Sequence, residues 1–220
     1  MLRFGIIVFP GTNCDMDTYH ALKHFPNVMV ERVWFDLPKR QSLHKFDALI
    51  LPGGFSYGDI LRAGALAKLT PIMKDLQIYA QSQRGLILGI CNGFQILCEA
   101  RLLPGTLVTN DSGKFVCRNQ KIKVWDDQSP FTNQMKKGQI LEMPVAHQQG
   151  KYLEAGPAFW TFSYESSPNG GLIAGVFSDD QRVMGMMPHP ERNIRPGFGN
   201  GDGKLIFQSM INFLWKEKSR

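Results

Sequence analysis

The chain has 220 residues and a formal net charge of +6, and 43% of its residues are hydrophobic while 20% are charged. This is the composition of a globular protein that is long enough to bury a core without disulfides. Apolar runs fall short of the ~18 residues that a membrane helix needs, and the N-terminal stretch lacks a signal-peptide cleavage site, so we expect a cytoplasmic protein without membrane contact.

The positive charge is dispersed along the chain and forms no basic stripe interleaved with aromatic residues. We therefore expect no nucleic-acid binding, and an anionic small molecule or an acidic partner protein would suit the charge equally well. Cys14, Cys91, Cys98 and Cys117 show no C-x-x-C spacing, which argues against a zinc site and against a disulfide scaffold.

Strand-like and helix-like segments alternate over the first hundred residues. Short apolar runs predict buried strands, and apolar residues at helical spacing predict helices. The predicted strands are 4–9, 28–35, 48–51 and 86–88, and the predicted helices are 15–25, a helix that follows the N-cap pair Thr70-Pro71, and 94–100. This order predicts an α/β fold, a flavodoxin-like three-layer sandwich around a mostly parallel sheet.

The pattern changes after residue 105, where short strand-like runs follow one another between glycine and proline clusters. These runs predict antiparallel strands that extend the sheet, at 114–124, 139–145, 159–164, 172–177 and 182–187. A final amphipathic helix is predicted at 203–218. The glycine-dense segment Arg195–Gly203 matches neither a P-loop nor a dinucleotide fingerprint and is expected to be a mobile loop. Without repeats or linkers, residues 1–220 are expected to form a single domain.

Gly89-Ile90-Cys91-Asn92-Gly93 has the G-x-nucleophile-x-G form of a nucleophile elbow. A sharp turn from strand to helix leaves no space for side chains beside the nucleophile, which explains the flanking glycines. The turn places the Cys91 sulfur at the N-terminus of a helix, where the helix dipole favours a thiolate. A structural cysteine in a tight turn is the alternative for Cys91 alone, and Cys98 on the following helix is expected in the core.

A cysteine nucleophile needs a base, and the base needs an orienting group. His189 lies between two prolines, and Glu191 follows two residues later, where its carboxylate can hold the imidazole. His20, His24 and His44 are expected at the surface. A lone His-Pro-Glu is weak evidence, but together with the elbow it predicts a Cys91–His189–Glu191 triad.

An oxyanion site requires backbone N–H groups close to the reacting carbon. The N–H of Asn92 is one candidate, because it follows the nucleophile. Gly53 and Gly54 end a predicted strand beside the elbow strand, and their lack of side chains lets the backbone approach a substrate. Taken alone, Pro52-Gly53-Gly54 is equally consistent with an ordinary turn.

The chain resembles the class I (triad) glutamine amidotransferases, and more narrowly the glutaminase subunits of phosphoribosylformylglycinamidine synthase. The resemblance extends from the first strand to the last helix. It rests on seven stretches, namely VFPGTNCD (8–15), PGG (52–54), GGFSYGD (53–59), LRAG (61–64), GICNGFQ (89–95), LLPG (102–105) and PHPE (188–191).

The resemblance implies that this chain hydrolyses glutamine to glutamate and ammonia through a thioester on Cys91. It implies a base, His189, oriented by Glu191, and an oxyanion site formed by Gly54 and Asn92. The residues implied to contact glutamine are Gly53, Gln95, Gln148 and Gly150. It further implies that the ammonia passes to a large PurL-like synthetase subunit, with a small PurS-like third subunit. The chain itself would hold no cofactor or metal, and ATP and Mg would be used by the synthetase.

Two other interpretations remain. One is a cysteine hydrolase of the DJ-1/PfpI type, which usually takes its histidine from the position after the nucleophile, where this chain has Asn92. The other is a non-catalytic binding module on the same fold, against which the intact Cys, His and Glu set argues.

Overall fold

A computed structural model of the chain describes residues 1–36, 42–155, 159–195 and 199–219. The predicted loop Arg195–Gly203 lies partly outside the described residues, because these omit residues 196–198. The strands are β1 Leu2–Val8, β2 Val28–Trp34, β3 Ala48–Leu51, β4 Leu86–Ile90, β5 Thr106–Val108, β6 Val116–Val124, β7 Ile140–His147, β8 Lys151–Leu153, β9 Phe159–Tyr164, β10 Ile173–Phe177 and β11 Val183–Met186. The α-helices are α1 Asp15–Lys23, α2 Pro71–Gln81, α3 Asn92–Glu99 and α4 Lys204–Lys218.

Nine of the strands form one mixed sheet in the order β2-β1-β3-β4-β11-β10-β9-β6-β7. The first five run parallel to one another, and the last four join antiparallel. The mostly parallel sheet with an antiparallel extension is therefore confirmed. The strands β3, β4 and β11 are buried at every position, as expected for the centre of such a sheet.

The strand order reverses at β1, because the chain leaves β1 for β2 on one side and returns to β3 on the other. Because crossovers between parallel strands are right-handed as a rule, we expect α1 and α2 on opposite faces of the sheet. A crevice forms beyond the carboxyl ends of β1 and β3, where such sheets bind ligands. There the two loops touch, since Phe55 N–H donates to Gly11 O at 2.9 Å and Cys14 N–H to Gly53 O at 3.1 Å.

The direction of β11 differs from the prediction, which had only antiparallel strands after residue 105. β11 is antiparallel to β10 but runs parallel to β4, with Met186 opposite Ile90. The physical reason is that a tight turn after β10 reverses the chain, closed by the bond from Ser178 N–H to Val183 O at 2.9 Å. The reversed strand is fully apolar and fills the gap between the two halves of the sheet.

Two further features were not predicted from the sequence. β5 and β8 form a separate two-stranded ribbon, and short 3-10 turns occur at 43–45, 56–59, 67–69 and 190–192. Thr70 occupies the predicted N-cap of α2, but its hydroxyl donates back to Ala67 O at 2.7 Å instead of capping the helix. No helix in the described ranges combines the length and apolar character needed to cross a bilayer.

Candidate active site

Cys91 occupies a strained turn between β4 and α3. Its backbone has φ 50° and ψ −103°, and its side chain is buried. A Cβ on Gly93 would overlap the carbonyl oxygen of Leu51, and one on Gly89 would lie 2.8 Å from the Gly93 carbonyl. The two glycines are therefore required by close packing, which is the steric cause inferred from the G-x-C-x-G spacing.

His189 is brought to Cys91 by the neighbouring strand. β11 pairs with β4, and the Cys91 N–H donates to Met186 O at 2.8 Å. Three residues after Met186, the His189 N–H donates to Pro144 O at 2.8 Å and so fixes the backbone that carries the imidazole. Residues almost a hundred positions apart thus meet at the carboxyl ends of adjacent parallel strands.

The imidazole of His189 is held by Glu191. His189 Nδ1 lies 2.6 Å from Glu191 Oε1, and the two side chains are 2% and 0% exposed. Burial opposes protonation of His189, but the Glu191 carboxylate and the Cys91 sulfur outweigh it and raise its pKa well above the ordinary value. Among the described residues Nε2 has no hydrogen-bond partner, so it remains free to exchange a proton with the sulfur or a substrate.

Cys14 lies close to the imidazole of His189. Its sulfur, His189 and Glu191 present ligand atoms within 4.8 Å of one another, which is a donor set that suits zinc. These atoms are engaged by the protein itself, however. The Arg192 guanidinium donates to the Cys14 sulfur at 3.1 Å, and Glu191 already bonds His189. A nearby guanidinium also disfavours a cation at this position.

The two glycines after β3 approach the site without side chains. A Cβ on Gly53 would lie 2.6 Å from His189 Cε1, so Gly53 packs directly on the imidazole. Gly54 has φ +145°, and a Cβ there would lie 2.5 Å from Asn13 N. In the described part of the chain the Gly54 N–H has no acceptor. The N–H of Asn92 begins α3 and has no partner within that helix.

The side chain of Asn92 joins the glycine loop to the elbow helix. Its Oδ1 accepts a hydrogen bond from Ser56 N–H at 3.1 Å, and its Nδ2 donates to Gln95 Oε1 at 2.9 Å. The loop after β3 is thereby held at a fixed distance from the nucleophile.

A cavity of about 240 Å³ opens onto Cys91. It is smaller than the roughly 300–1,000 Å³ typical of sites for drug-sized ligands, in keeping with an amino acid. It is lined by Gly54, Phe55, Gly58, Asp59, Cys91, Gln95, Ala146, His147, Gln148 and Gln149. The predicted glutamine contacts Gln95 and Gln148 therefore line it, whereas Gly53 and Gly150 do not. Gly150 packs on the His147 ring instead.

Several lining residues were not predicted from the sequence, above all Asp59 and His147, whereas Gln149 lies in the loop Gln148–Gly150 that was predicted to contact glutamine. The main chain of Gln149 accepts from Gln95 Nε2 at 2.6 Å, which couples the elbow helix to the loop after β7. Asp59 is the last residue of the motif GGFSYGD, and its place in that motif is the one sequence feature that could have identified it. His20, His24 and His44 are exposed and Cys98 is buried, as predicted.

Comparison with known proteins identifies the family. The CobB/CobQ-like glutamine amidotransferase domain matches residues 2–160. The phosphoribosylformylglycinamidine synthase subunit PurQ of Alkaliphilus metalliredigens is 47% identical over 223 residues, which cover 97% of each chain. The subunit of the same name from Salinibacter ruber is 43% identical over 231 residues, covering 96% of this chain and 97% of that protein.

Solved structures agree with this. A chain of the PurLQS structure from Thermotoga maritima is 41% identical, has a TM-score of 0.92, and the match covers 97% of this chain and 99% of that chain. A glutamine amidotransferase from the same organism, 16% identical with a TM-score of 0.58 over 99% of this chain and 85% of that one, supports the fold alone. The resemblance inferred from the sequence motifs is confirmed, and the chain belongs to the glutamine amidotransferase family, in its group of phosphoribosylformylglycinamidine synthase PurQ subunits.

Proposed function

We propose that this chain is the glutaminase subunit of phosphoribosylformylglycinamidine synthase. It hydrolyses glutamine to glutamate and ammonia, and the ammonia serves de novo purine biosynthesis. The observation that carries the proposal is the buried pair of His189 and Glu191, which directly follows the strand β11 beside the Cys91 elbow. The similarity to PurQ subunits over nearly the full length supports glutamine as the substrate.

In the first half-reaction the Cys91 sulfur attacks the side-chain amide carbon of glutamine. The carbonyl electrons move to oxygen, and the N–H groups of Gly54 and Asn92 stabilise that oxyanion. The raised pKa of His189 keeps its imidazole protonated, so Nε2 can give its proton to the departing nitrogen. The C–N bond breaks, ammonia leaves and a γ-glutamyl thioester remains on Cys91.

In the second half-reaction His189 Nε2, now neutral, takes a proton from water, and the hydroxide attacks the thioester carbon. The C–S bond breaks, glutamate leaves and the sulfur recovers its starting state. Throughout, Glu191 accepts the Nδ1–H bond and keeps Nε2 turned toward the sulfur. Loss of one oxyanion donor typically lowers the rate ~10²–10³-fold.

The ammonia is consumed by a partner. The name PurLQS joins a chain similar to this one to PurL and PurS, so we assign a large PurL-like synthetase subunit and a small PurS-like subunit as the partners. The synthetase uses ATP and Mg to make formylglycinamidine ribonucleotide, and this chain needs no cofactor or metal of its own. We place the complex in the cytoplasm.

The test is a glutaminase assay on the full chain, alone and with its synthetase subunits. Cys91→Ser should fold and lose activity, and His189→Ala should lose it as strongly. A glutamine-analogue alkylator should label wild type once, with labelling lost in Cys91→Ala and retained in the control Cys117→Ala, which changes an exposed cysteine. Activity that survives Cys91→Ser would point to another nucleophile, and an inactive, unlabelled wild type would favour a binding module.

A further inference from the structure

The cavity over Cys91 contains one carboxylate, that of Asp59. Among the described residues no lysine or arginine lines this cavity. The other ionisable groups in its wall are Cys91 and His147. Burial lowers the pKa of His147 to about 4, so that imidazole is neutral at physiological pH. The cavity wall therefore offers negative charge and no compensating positive charge to whatever enters it.

Asp59 is not satisfied by the protein. In the described chain its side chain receives one hydrogen bond, from Asn92 Nδ2 at 3.4 Å. The same Nδ2 makes a shorter bond of 2.9 Å to Gln95 Oε1, so the bond to Asp59 is the weaker of the two. Burial raises the pKa of Asp59 to about 6, which leaves the carboxylate mostly ionised at neutral pH. A half-buried anion without a cationic partner is costly unless a ligand provides one.

The turn that carries Asp59 is built at a cost in backbone strain. Tyr57, Gly58 and Asp59 lie consecutively in the left-handed region, with φ of 54°, 66° and 53°. Non-glycine residues avoid this region, and such strain concentrates at ligand sites. Two other segments hold this turn in place. Tyr57 N–H donates to Pro10 O in the loop after β1 at 2.7 Å, and Ser56 N–H donates to Asn92 Oδ1 at the start of α3 at 3.1 Å.

We propose that Asp59 is a specificity-determining residue that binds the α-ammonium group of glutamine. The inference rests on the proposed glutaminase function and deepens it. In glutamine four bonds separate the amide carbon, which must reach Cys91, from the α-nitrogen, and one small cavity contains both Cys91 and Asp59. The ammonium supplies the cation that Asp59 lacks.

The experiment compares L-glutamine with 4-carbamoylbutyrate, which keeps the amide and the carboxylate but lacks the α-amino group. Ammonia release is measured with the full chain assembled with its synthetase subunits, for wild type, Asp59→Asn, Asp59→Glu and the control Asp179→Asn, which changes an exposed aspartate. Where 4-carbamoylbutyrate turns over too slowly, its Ki against glutamine gives the same comparison.

We expect Asp59→Asn to lower kcat/KM for glutamine about 10- to 100-fold, the range of a lost hydrogen bond to a charged group, mostly through KM. It should leave 4-carbamoylbutyrate unchanged, Asp59→Glu should recover part of the preference, and Asp179→Asn should match wild type. An equal loss on both compounds would mean that Asp59 only supports the turn, and no loss on either would also overturn the inference. Wild type that releases ammonia from neither compound would remove the glutaminase function itself, and this inference with it.

Discussion

His147 makes the fold sensitive to acid. Its side chain is buried, and Nδ1 lies 3.1 Å from Asn110 Oδ1. The orientation of Asn110 is fixed because its Nδ2 donates to Lys114 O at 2.9 Å and its Oδ1 also accepts from Gly150 N–H at 3.1 Å. His147 Nδ1 must therefore carry the proton. Burial, aided by the nearby His189, lowers the pKa of His147 from 6.5 to about 4.

The size and sign of the effect follow from this shift. The unfolded chain binds a proton at His147 below pH 6.5, whereas the folded chain resists protonation until about pH 4. The free energy of unfolding is thus nearly unaffected well above pH 6.5, falls as the pH drops from 6.5 to 4, and levels off below about pH 4. At 1.36 kcal/mol per pKa unit the full loss is about 3 kcal/mol, and about 2.5 kcal/mol of it is reached at pH 4.5.

The assay is urea unfolding at pH 7.5, 5.5 and 4.5, followed by tryptophan fluorescence, for wild type and His147→Asn. The asparagine keeps an N–H donor toward Asn110 but cannot titrate. It will cost stability at every pH through lost packing, so the informative quantity is the change with pH. We expect wild type to lose about 2.5 kcal/mol more than the variant between pH 7.5 and 4.5. His24→Asn, which replaces an exposed imidazole, should follow wild type. Parallel pH profiles of wild type and His147→Asn would refute the reasoning.

Three further predictions concern the site and the core. Gly54→Ala should lower the free energy of unfolding by more than ~2 kcal/mol and abolish glutaminase activity, because at φ +145° the new Cβ would lie 2.5–2.8 Å from backbone atoms. The control Gly113→Ala, at φ +66°, places its Cβ in open space and should cost only about 1 kcal/mol in the same denaturant titrations. Glu191→Gln should keep the shape of the triad but lower kcat at least ~100-fold in ammonia-release assays, because the charge that stabilises the imidazolium is gone; near wild-type turnover would exclude that role. Phe207→Ala should lower the free energy of unfolding by about 3–5 kcal/mol, since the ring is fully buried and packs against Phe25. Trp215→Ala removes a side chain that is 37% exposed and should lower it far less in the same titration.

What the sequence predicted correctly depends on short-range physics. The glycines around Cys91 reflect clashes within a few residues, and the spacing of His189 and Glu191 reflects one hydrogen bond across two residues. The direction of β11 could not be read in this way, because it is set by the tight turn after β10 and by the vacant place beside β4.

Other parts of the site depend on contacts between distant segments. Cys14 comes close to His189 because the loops after β1 and β3 touch. The strands β5 and β8 have three residues each, too few for any periodicity to show. Asp59 lines the cavity because the turn that carries it has left-handed backbone angles, which no residue pattern predicts.

The place of β11 in the sheet also determines when, during synthesis of the chain, Cys91 and His189 can come together. The residues of the Cys91 elbow are synthesised within about the first hundred, but β11, which pairs with the elbow strand and precedes His189, is synthesised roughly ninety residues later. At a synthesis rate of about 5–20 residues per second, the nascent chain spends several seconds with a nucleophile that has no base. A nascent chain that ends before His189 therefore lacks the imidazole that the proposed hydrolysis of glutamine requires.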